Sequence, residues 1–469
     1  MRLAIVSTYR PRRCGIAVFS GDLRAALVDA DPSLSVQVFS IVRGPERPRP
    51  KEVVARIRQD ECGDYALAAS TLNGSGVDVV LIEHEFGIFG GDSGRFVLNL
   101  ANELTVPFVV TLHTVLARPS HGQADVLRAL CDRAALVMVF TETARRMVVE
   151  QGLAPYERVR VVPHGVPDVL TLVARPRRNG LSGRGLPAVA ARRRAAERPA
   201  VSAGETTPES SPTTVTFEDP AMPLGLRSLF GRKVLSTFGL ISASKGLELA
   251  IRALPEIVAA HPEVVYLIAG QTHPDVIKAE GESYRMMLER LVWQLELQDH
   301  VIFLDRFLSI DELALLLGHT DIYLTPYRSR EQIVSGALTF AVAAGCPVVS
   351  TPYFYAEDLL SSGAGVLVPF GDSTKLAAAV RGLLDSPTKL AAARTAARRV
   401  GAELGWSSVA HATRAVLTQA TDGVTLRRPA RIGRAAARTS PAIGEAAVQT
   451  SPSMGEAAVR TSPQILRQR

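Results

Sequence analysis

Hydrophobic and polar positions alternate in blocks along the first third of the chain. Short apolar, β-branched runs are separated by polar or amphipathic stretches of helical length; the runs are RLAIVS, SVQVFSIV, VDVVLIE, PFVVTLH, LVMVF and VRVVP. Continuous apolar strands separated by helices are typical of a parallel sheet that is covered on both faces. The pattern starts again at KVLSTFGLI and continues through VVYLIAG, VIFL, DIYLTP, CPVVST and AGVLVP. It predicts an α/β protein with two doubly wound domains in tandem.

Two segments lack this pattern. Residues 174–222 are rich in Arg, Ala, Pro, Ser and Thr, and we expect them to form a disordered insertion. Near the end, Thr-Ser-Pro recurs every 11 residues, at Thr439, Thr450 and Thr461. An 11-residue period can indicate a helical repeat, but a proline in each unit favours a disordered, low-complexity tail. The predicted organisation is a first domain over 1–170, an insertion and linker over 171–226, a second domain over 227–402, a terminal helix over 403–424 that returns to the first domain, and the tail over 425–469.

The positive charge is concentrated in the two segments that lack the pattern of strands and helices. The chain has 469 residues, long enough for two packed domains, and a formal net charge of +7. Residues 174–198 hold eight Arg and one Glu, and residues 427–469 hold eight Arg and two Glu, so they carry +7 and +6. The remainder therefore carries 7 − 13 = −6. This distribution argues against a nucleic-acid partner.

The four cysteines, Cys14, Cys62, Cys131 and Cys346, are far apart and form no CxxC pair. This spacing argues against a zinc site or a disulfide framework and favours a reducing cytoplasm. The first apolar run is shorter than the core of a signal peptide, and no uncharged apolar run approaches the roughly 20 residues of a membrane span. We expect a cytoplasmic protein that is soluble or touches membranes only peripherally.

In the first domain, polar residues follow the predicted strands, where open α/β domains bind ligands. Gly15 opens a helix after the first strand and can bring backbone amides close to an anion, although taken alone it is better explained as an ordinary glycine-containing turn. His84 and Glu85 follow VDVVLI, and His113 follows PFVVTL. No helical His pair or thiol partner accompanies them, which argues against a metal. No GxGxxG fingerprint is present in these turns, which argues against NAD or FAD as a cofactor.

In the second domain, FGLISASKG follows a strand and opens the helix LELAIRALPEIV. Gly239 and Lys245 lie in this loop. A cation at a helix start opposes the helix dipole unless an anion is nearby, so Lys245 is interpreted as a phosphate contact.

These segments resemble glycosyltransferase family 4, retaining enzymes with the GT-B fold of two facing Rossmann-like domains. FGLISASKG resembles the family's donor-phosphate motif, VVPHGV its interdomain signature, and SGAGVLVPFGDSTKLAAAV its segment Asn-Gly-x-x-Gly-x-Leu-Val-x-Pro-x-Asp. The resemblance implies transfer of a hexosyl group, mannosyl or glucosyl, from a nucleoside diphosphate sugar to a carbohydrate or other hydroxyl acceptor. It also implies that no metal is needed, because Lys245 and helix N-termini stabilise the departing diphosphate.

Carried over to this chain, the resemblance places the donor on the second domain and the acceptor on the first. Gly15 gives an amide to the donor diphosphate, and His113 lines the reaction centre. Lys245 neutralises the leaving group, with help from Arg12 or Arg13. The acceptor side comprises Arg12, Arg13, His84, Glu85 and His113.

The chain departs from the family at its acid pair. The two glutamates that the family separates by seven residues are Gln332 and Phe340 here, and Glu331 is one position away from the first. One branch of the family has a similar Glu-Gln-Ile-x-Ser-Gly segment, which implies donor contacts from Gln332, Ser335 and Gly336. Glu331 is a catalytic contact with the donor or an acid in the first turn of the following helix.

Glu357 resembles the acid that follows the next strand in the family and is expected to contact the donor, or else to stabilise a helix start. Because the acid pair is missing, a non-catalytic sugar-nucleotide binding module is a second hypothesis. Another GT-B enzyme, an epimerase or a phosphorylase, is a third.

Overall fold

The computed structural model describes residues 1–12, 14–44, 47, 49–173, 229 and 231–422. Arg13, almost all of the expected insertion and linker, and the repeat tail at 425–469 lie outside the described residues, so the predictions for them are not tested. The predicted boundaries of the two domains likewise stay predictions.

The first domain is built on a parallel sheet with the strand order β3-β2-β1-β4-β5-β6-β7. The strands are β1 Arg2–Ser7, β2 Ser35–Val42, β3 Val53–Arg58, β4 Val79–His84, β5 Phe108–Leu112, β6 Leu136–Val139 and β7 Val159–Val161. The helices are α1 Gly15–Ala30, α2 Cys62–Gly74, α3 Val97–Glu103, α4 His121–Arg133, α5 Glu142–Glu150 and α6 Asp168–Val173. Every residue of β4 and β5 is buried, as expected for central strands with helices on both faces.

The second domain contains a parallel sheet with the order β10-β9-β8-β11-β12-β13. Its strands are β8 Lys233–Phe238, β9 Val264–Ala269, β10 Val301–Leu304, β11 Ile322–Thr325, β12 Val348–Ser350 and β13 Gly365–Leu367. Its helices are α7 Leu247–Ala260, α8 Pro274–Glu280, α9 Ser283–Gln294, α10 Ile310–His319, α11 Gly336–Ala343, α12 Phe354–Leu360, α13 Ser373–Leu384 and α14 Pro387–Gly401. The prediction of two Rossmann-like parallel-sheet domains is confirmed.

The last described helix, α15 Trp406–Asp422, packs against α1 of the first domain. Trp406 lies edge-on to Phe19, with ring centroids 5.3 Å apart. Arg414 pairs with Asp31 at 2.9 Å at the far end of α1. The last helix therefore covers the same sheet face that α1 covers. No helix among the described residues is long and apolar enough to cross a membrane.

Candidate functional site

The loops after the parallel strands of the two domains meet, and side chains from the second domain enter the first. Ile333 is 3% exposed and belongs to the apolar core beneath α4 and α5. Asp358 of α12 accepts hydrogen bonds from the Thr143 backbone N–H at 2.9 Å and from the Thr143 hydroxyl at 2.7 Å, both in the first turn of α5. Of the predicted site residues, Gln332 and Ser335 flank Ile333 in sequence, and Glu357 directly precedes Asp358.

His113 is held by a buried carboxylate on the neighbouring strand. It directly follows β5, and its backbone N–H donates to the carbonyl oxygen of His84 at 2.9 Å. The register of β4 and β5 places Glu83 beside Thr111, within reach of the His113 ring. Glu83 Oε2 lies 2.7 Å from His113 Nε2, and the two side chains are 0% and 3% exposed. This contact occupies Nε2, so Nδ1 is the ring nitrogen left for a substrate.

His84 lies on the opposite face of the sheet from Glu83, because successive strand residues alternate between faces. Its ring stacks on Phe89 at 5.7 Å and meets the edge of Phe86 at 5.0 Å. Neither ring nitrogen has a hydrogen-bond partner in the described part of the chain. Burial lowers the pKa of His84 to about 3, so the ring is neutral at pH 7. Its role on the acceptor side stays a prediction.

A second histidine, His164, connects His113 to the second domain. The rings of both histidines pack on Phe19, with centroid distances of 4.9 Å for His113 and 5.1 Å for His164. Both also pack on Phe140, at 5.0 and 5.6 Å. A Cβ atom built on Gly336, the first residue of α11, would lie 3.8 Å from His164 Cε1. Desolvation lowers the pKa of His164 to about 4, so it too is neutral at pH 7.

Lys245 ends the loop after β8, next to the start of α7. Gly239 follows the strand in an open position, and residues 243–245 form a single 3-10 turn. Gly246 adopts φ +62°, and a Cβ there would lie 2.1 Å from the Pro326 carbonyl oxygen, so this position requires glycine. Lys245 Nζ donates to the Tyr327 hydroxyl at 2.8 Å. Within the described ranges, Lys245 forms no ion pair with a carboxylate.

Tyr327 links Lys245 to the N-terminus of α11. Its hydroxyl lies 3.4 Å from Ser335 Oγ, and its ring stacks on Tyr353 with centroids 4.9 Å apart. Ser335 is the N-cap of α11 and accepts the Leu338 backbone N–H at 3.3 Å. Hydrogen bonds through Tyr327 therefore connect the Lys245 ammonium group to the N-terminus of α11. The first turn of α11 contains no acidic residue. This arrangement suits an anion.

The acidic residues near α11 lie outside its first turn. Glu331 is exposed in the loop before α11, and the interpretation of Glu331 as a first-turn acid is wrong, because α11 begins at Gly336. Gln332 is also exposed and donates to the Val334 carbonyl oxygen of its own loop at 2.6 Å. Glu357 lies in the first turn of α12 and pairs with Arg330 at 3.1 Å.

On the first domain, Gly15 is exposed at the start of α1, where Cys14 provides no side-chain cap and the first turn has no acid. Glu85 accepts a hydrogen bond from the Thr114 hydroxyl. Arg12 donates to Gln59 Oε1 at 3.2 Å. The amides of α1 are thus open to an anion from the cleft.

Sequence reasoning missed Glu83, His164 and Tyr327. Glu83 directly precedes His84 at the end of a predicted strand, and His164 lies in the segment VVPHGV. Their positions in the sequence could therefore have indicated both residues. Tyr327 gave no such signal, because its role depends on the packing of two loops. Within the described residues, no three His, Cys, Asp or Glu side chains are grouped as metal ligands, and metal independence stays a prediction.

Two family models match the chain. Residues 15–169 match the model described as Glycosyltransferase Family 4, and residues 229–400 match the model described as Glycosyl transferases group 1. The first range contains His113 and the second contains Lys245 and Ser335. The resemblance found in the sequence is therefore confirmed.

Curated relatives match over part of their length. The glycogen synthase of Mycobacterium tuberculosis is 31% identical over 189 residues, which cover 39% of this chain and 42% of the relative. A GDP-mannose-dependent monoacylated alpha-(1-6)-phosphatidylinositol monomannoside mannosyltransferase of Corynebacterium glutamicum is 29% identical over 168 residues, or 34% of this chain and 41% of the relative. The matches span less than half the length of these relatives.

Solved structures match over most of the chain. Sucrose-phosphate synthase from Thermosynechococcus elongatus has a TM-score of 0.64 at 16% identity, covering 90% of this chain and 100% of that one. The HepE protein of Anabaena in complex with UDP has a TM-score of 0.60 at 16% identity, covering 89% and 100%. At this identity the likeness concerns the fold, and the predicted GT-B fold is confirmed.

Proposed function

Because the chain belongs to the family 4, group 1 glycosyltransferases, we propose that it transfers a hexosyl group from a nucleoside diphosphate sugar to a hydroxyl acceptor. The transferred group is a mannosyl or glucosyl unit, and the configuration at the anomeric carbon is retained. The acceptor is a carbohydrate or another hydroxyl compound. No metal takes part in this proposal.

The observation that carries the proposal is the chain Lys245–Tyr327–Ser335. Departure of a nucleoside diphosphate builds negative charge on its terminal phosphate, and donors fixed in advance stabilise that charge without rearranging. Lys245 Nζ is 2.8 Å from the Tyr327 hydroxyl, which is 3.4 Å from Ser335 Oγ at the start of α11. A diphosphate at this point meets an ammonium group and a helix N-terminus together.

The first domain supplies the other wall of the reaction centre. His164 packs near Gly336 at the start of α11, and it shares the rings of Phe19 and Phe140 with His113. This contact brings His113 toward the donor helix. We assign His113 to the reacting sugar, with Glu83 holding its ring through Nε2.

The names of the relatives favour a glucosyl or mannosyl donor. A glycogen synthase and a GDP-mannose-dependent mannosyltransferase are among the curated matches, and the HepE protein has been solved with UDP-glucose.

The test is a transfer assay with a panel of UDP and GDP sugars and hydroxyl acceptors. Lys245→Ala is expected to lower kcat at least a hundredfold, because the leaving group loses its cation. Lys389→Ala is the matched control: Lys389 is an exposed lysine near the start of α14, outside the three family segments, and its removal leaves the rate unchanged. Full activity of folded Lys245→Ala protein contradicts the assigned role.

A second candidate is a sugar-nucleotide binding module without catalysis. Gln332 and Phe340 replace the family's acid pair, and the Phe340 ring packs 6.2 Å from Phe238. Calorimetry that finds donor binding, with neither transfer nor donor hydrolysis across the acceptor panel, favours this candidate.

A further inference from the structure

Two arginines that follow neighbouring strands of the first sheet converge on one amide oxygen. Arg12 follows β1 and Arg43 follows β2, and neither is close to the other in sequence. The Arg12 Nη1 atom and the Arg43 Nε atom both donate to Gln59 Oε1, each at 3.2 Å. The two nitrogens are therefore separated by at most twice that distance.

Gln59 is held so that its oxygen faces these arginines. Its residue exposure is 9%, and its Nε2 atom donates to the Gly87 carbonyl oxygen at 3.3 Å. Its backbone oxygen accepts from the Tyr65 hydroxyl at 2.8 Å. A Cβ on Gly90 would lie 2.0 Å from that same backbone oxygen, so the loop after β4 packs directly on Gln59. The side-chain amide is thus held by Gly87, and the backbone that carries it is held by Tyr65 and by the loop at Gly90.

Arg43 differs from the neighbouring arginines in that no carboxylate among the described residues balances its charge. Arg10 is neutralised by Glu52 at 2.6 Å, and Arg58 is neutralised by Asp64 at 2.8 Å. Arg43 has no carboxylate within 4 Å in the part of the chain that the structure describes. Arg43 therefore brings a positive charge that no described carboxylate balances to the neutral oxygen it shares with Arg12, and this charge stabilises an anion bound there.

We propose that Arg12, Arg43 and Gln59 bind a phosphate or carboxylate group that is carried by the carbohydrate acceptor. This inference rests on the proposed function, because it places the acceptor on the first domain. Guanidinium groups suit both anions, since their fork of N–H donors matches paired oxygens. The site would give the enzyme a preference for anionic over neutral acceptors.

The strand order separates this site from the reaction centre. Arg43 follows β2 and His113 follows β5, with β1 and β4 between them. Three strand spacings amount to about 14 Å along the sheet. The anionic group is therefore on a different part of the acceptor from the hydroxyl that reacts.

The inference can be tested by calorimetry on the full chain at low ionic strength, with UDP or GDP saturating the donor site. The probes are glucose 6-phosphate, glucuronate, glucose and inorganic phosphate. We expect glucose 6-phosphate or glucuronate to bind at least tenfold more tightly than glucose, and glucose 6-phosphate to bind more tightly than inorganic phosphate. Inorganic phosphate binding equally well would indicate a site for the free ion and overturn the assignment to the acceptor.

Variants separate this site from the donor site. Arg43→Gln should weaken binding of the anionic probes about tenfold without changing the affinity for UDP or GDP. Gln59→Glu should also weaken binding of the anionic probes although both arginines remain. Its carboxylate would pair with the arginines in place of the bound anion. Arg58→Gln is the control and should change neither affinity, since Asp64 already neutralises Arg58.

The outcomes distinguish this inference from the proposed function. If nucleotide binds but no anionic probe exceeds glucose, the acceptor site is wrong and the donor function stands. If Arg43→Gln weakens nucleotide binding instead, the arginines serve the donor and the inference is overturned. If the wild-type chain binds no nucleotide, the proposed function itself fails.

Discussion

Replacing Glu83 with alanine tests whether His113 depends on its buried partner. The substitution leaves His113 Nε2 unpaired where the ring is 3% exposed, in place of a 2.7 Å contact with a carboxylate. Losing such a bond and leaving the remaining group unsatisfied costs about 2 to 3 kcal/mol. If this free energy holds the ring in its reactive orientation, kcat falls about 30- to 150-fold. The KM for the donor should stay constant, because Lys245 and Ser335 lie on the other domain.

The conservative variant Glu83→Gln separates the role of the charge from that of the hydrogen bond. Glu83→Gln keeps an oxygen that accepts from Nε2 and removes only the charge, so the expected fall is about fivefold, or about 1 kcal/mol. Glu103→Gln removes an exposed carboxylate of the same domain and serves as the control. Initial transfer rates are measured beside thermal unfolding of each variant. The reasoning is refuted if folded Glu83→Ala protein turns over within threefold of wild type, or if the glutamine variant is as impaired as the alanine variant.

Three further predictions concern stability and can be measured by urea unfolding. Gly246→Ala should lower the free energy of unfolding by about 2 to 4 kcal/mol, because it combines φ +62° with a Cβ 2.1 Å from a carbonyl oxygen; Gly382→Ala, within α13 and with no atom in reach of its Cβ, should be neutral or stabilising. The pKa of His84 is lowered to about 3 from 6.5, so the unfolded chain binds a proton there that the folded chain does not. The stability that His84 contributes is full well above pH 6.5, and it falls by about 1.4 kcal/mol per pH unit between pH 6 and pH 4, a fall to which His164 adds in the same direction. His84→Phe should make this slope shallower, and an unchanged slope contradicts the assignment. Ile333→Ala should cost about 2 to 5 kcal/mol, since Ile333 is 3% exposed, and a loss below 1 kcal/mol contradicts its burial.

The two sheets could be predicted because most of their strands are continuous apolar runs between amphipathic helices. The strand β3 was missed, and its composition explains why. VVARIR at Val53–Arg58 is an edge strand in which exposed and half-buried positions interrupt the buried ones, so two arginines fall within it. Edge strands need less apolar surface than central strands, and their pattern is correspondingly weak.

The position of His113 and Lys245 after parallel strands could also be predicted, because the apolar strands that precede them are readable from the sequence. Their roles there stay predictions, based on where open α/β domains bind ligands. The contacts within the candidate site could not be predicted. Glu83 meets His113 only because the register of β4 and β5 places it beside Thr111. Tyr327 reaches Lys245 across 82 residues of sequence, and Gln59 meets Arg12 across 47. Register and loop packing of this kind are set by the whole fold, so local sequence patterns carry no record of them.

Ile333 has a kinetic consequence if, as proposed, the substrates enter between the two domains. The loop that leads into Ser335 carries this side chain into the core of the other domain, and Asp358 adds two hydrogen bonds to Thr143 nearby. Separating the domains here exposes Ile333 to water, at a cost of about 1.5 to 3 kcal/mol. Such a free energy shifts an equilibrium between closed and open forms about 10- to 150-fold toward the closed form. Under the proposed function, shortening this side chain in Ile333→Ala is therefore expected to shift the equilibrium toward the open form.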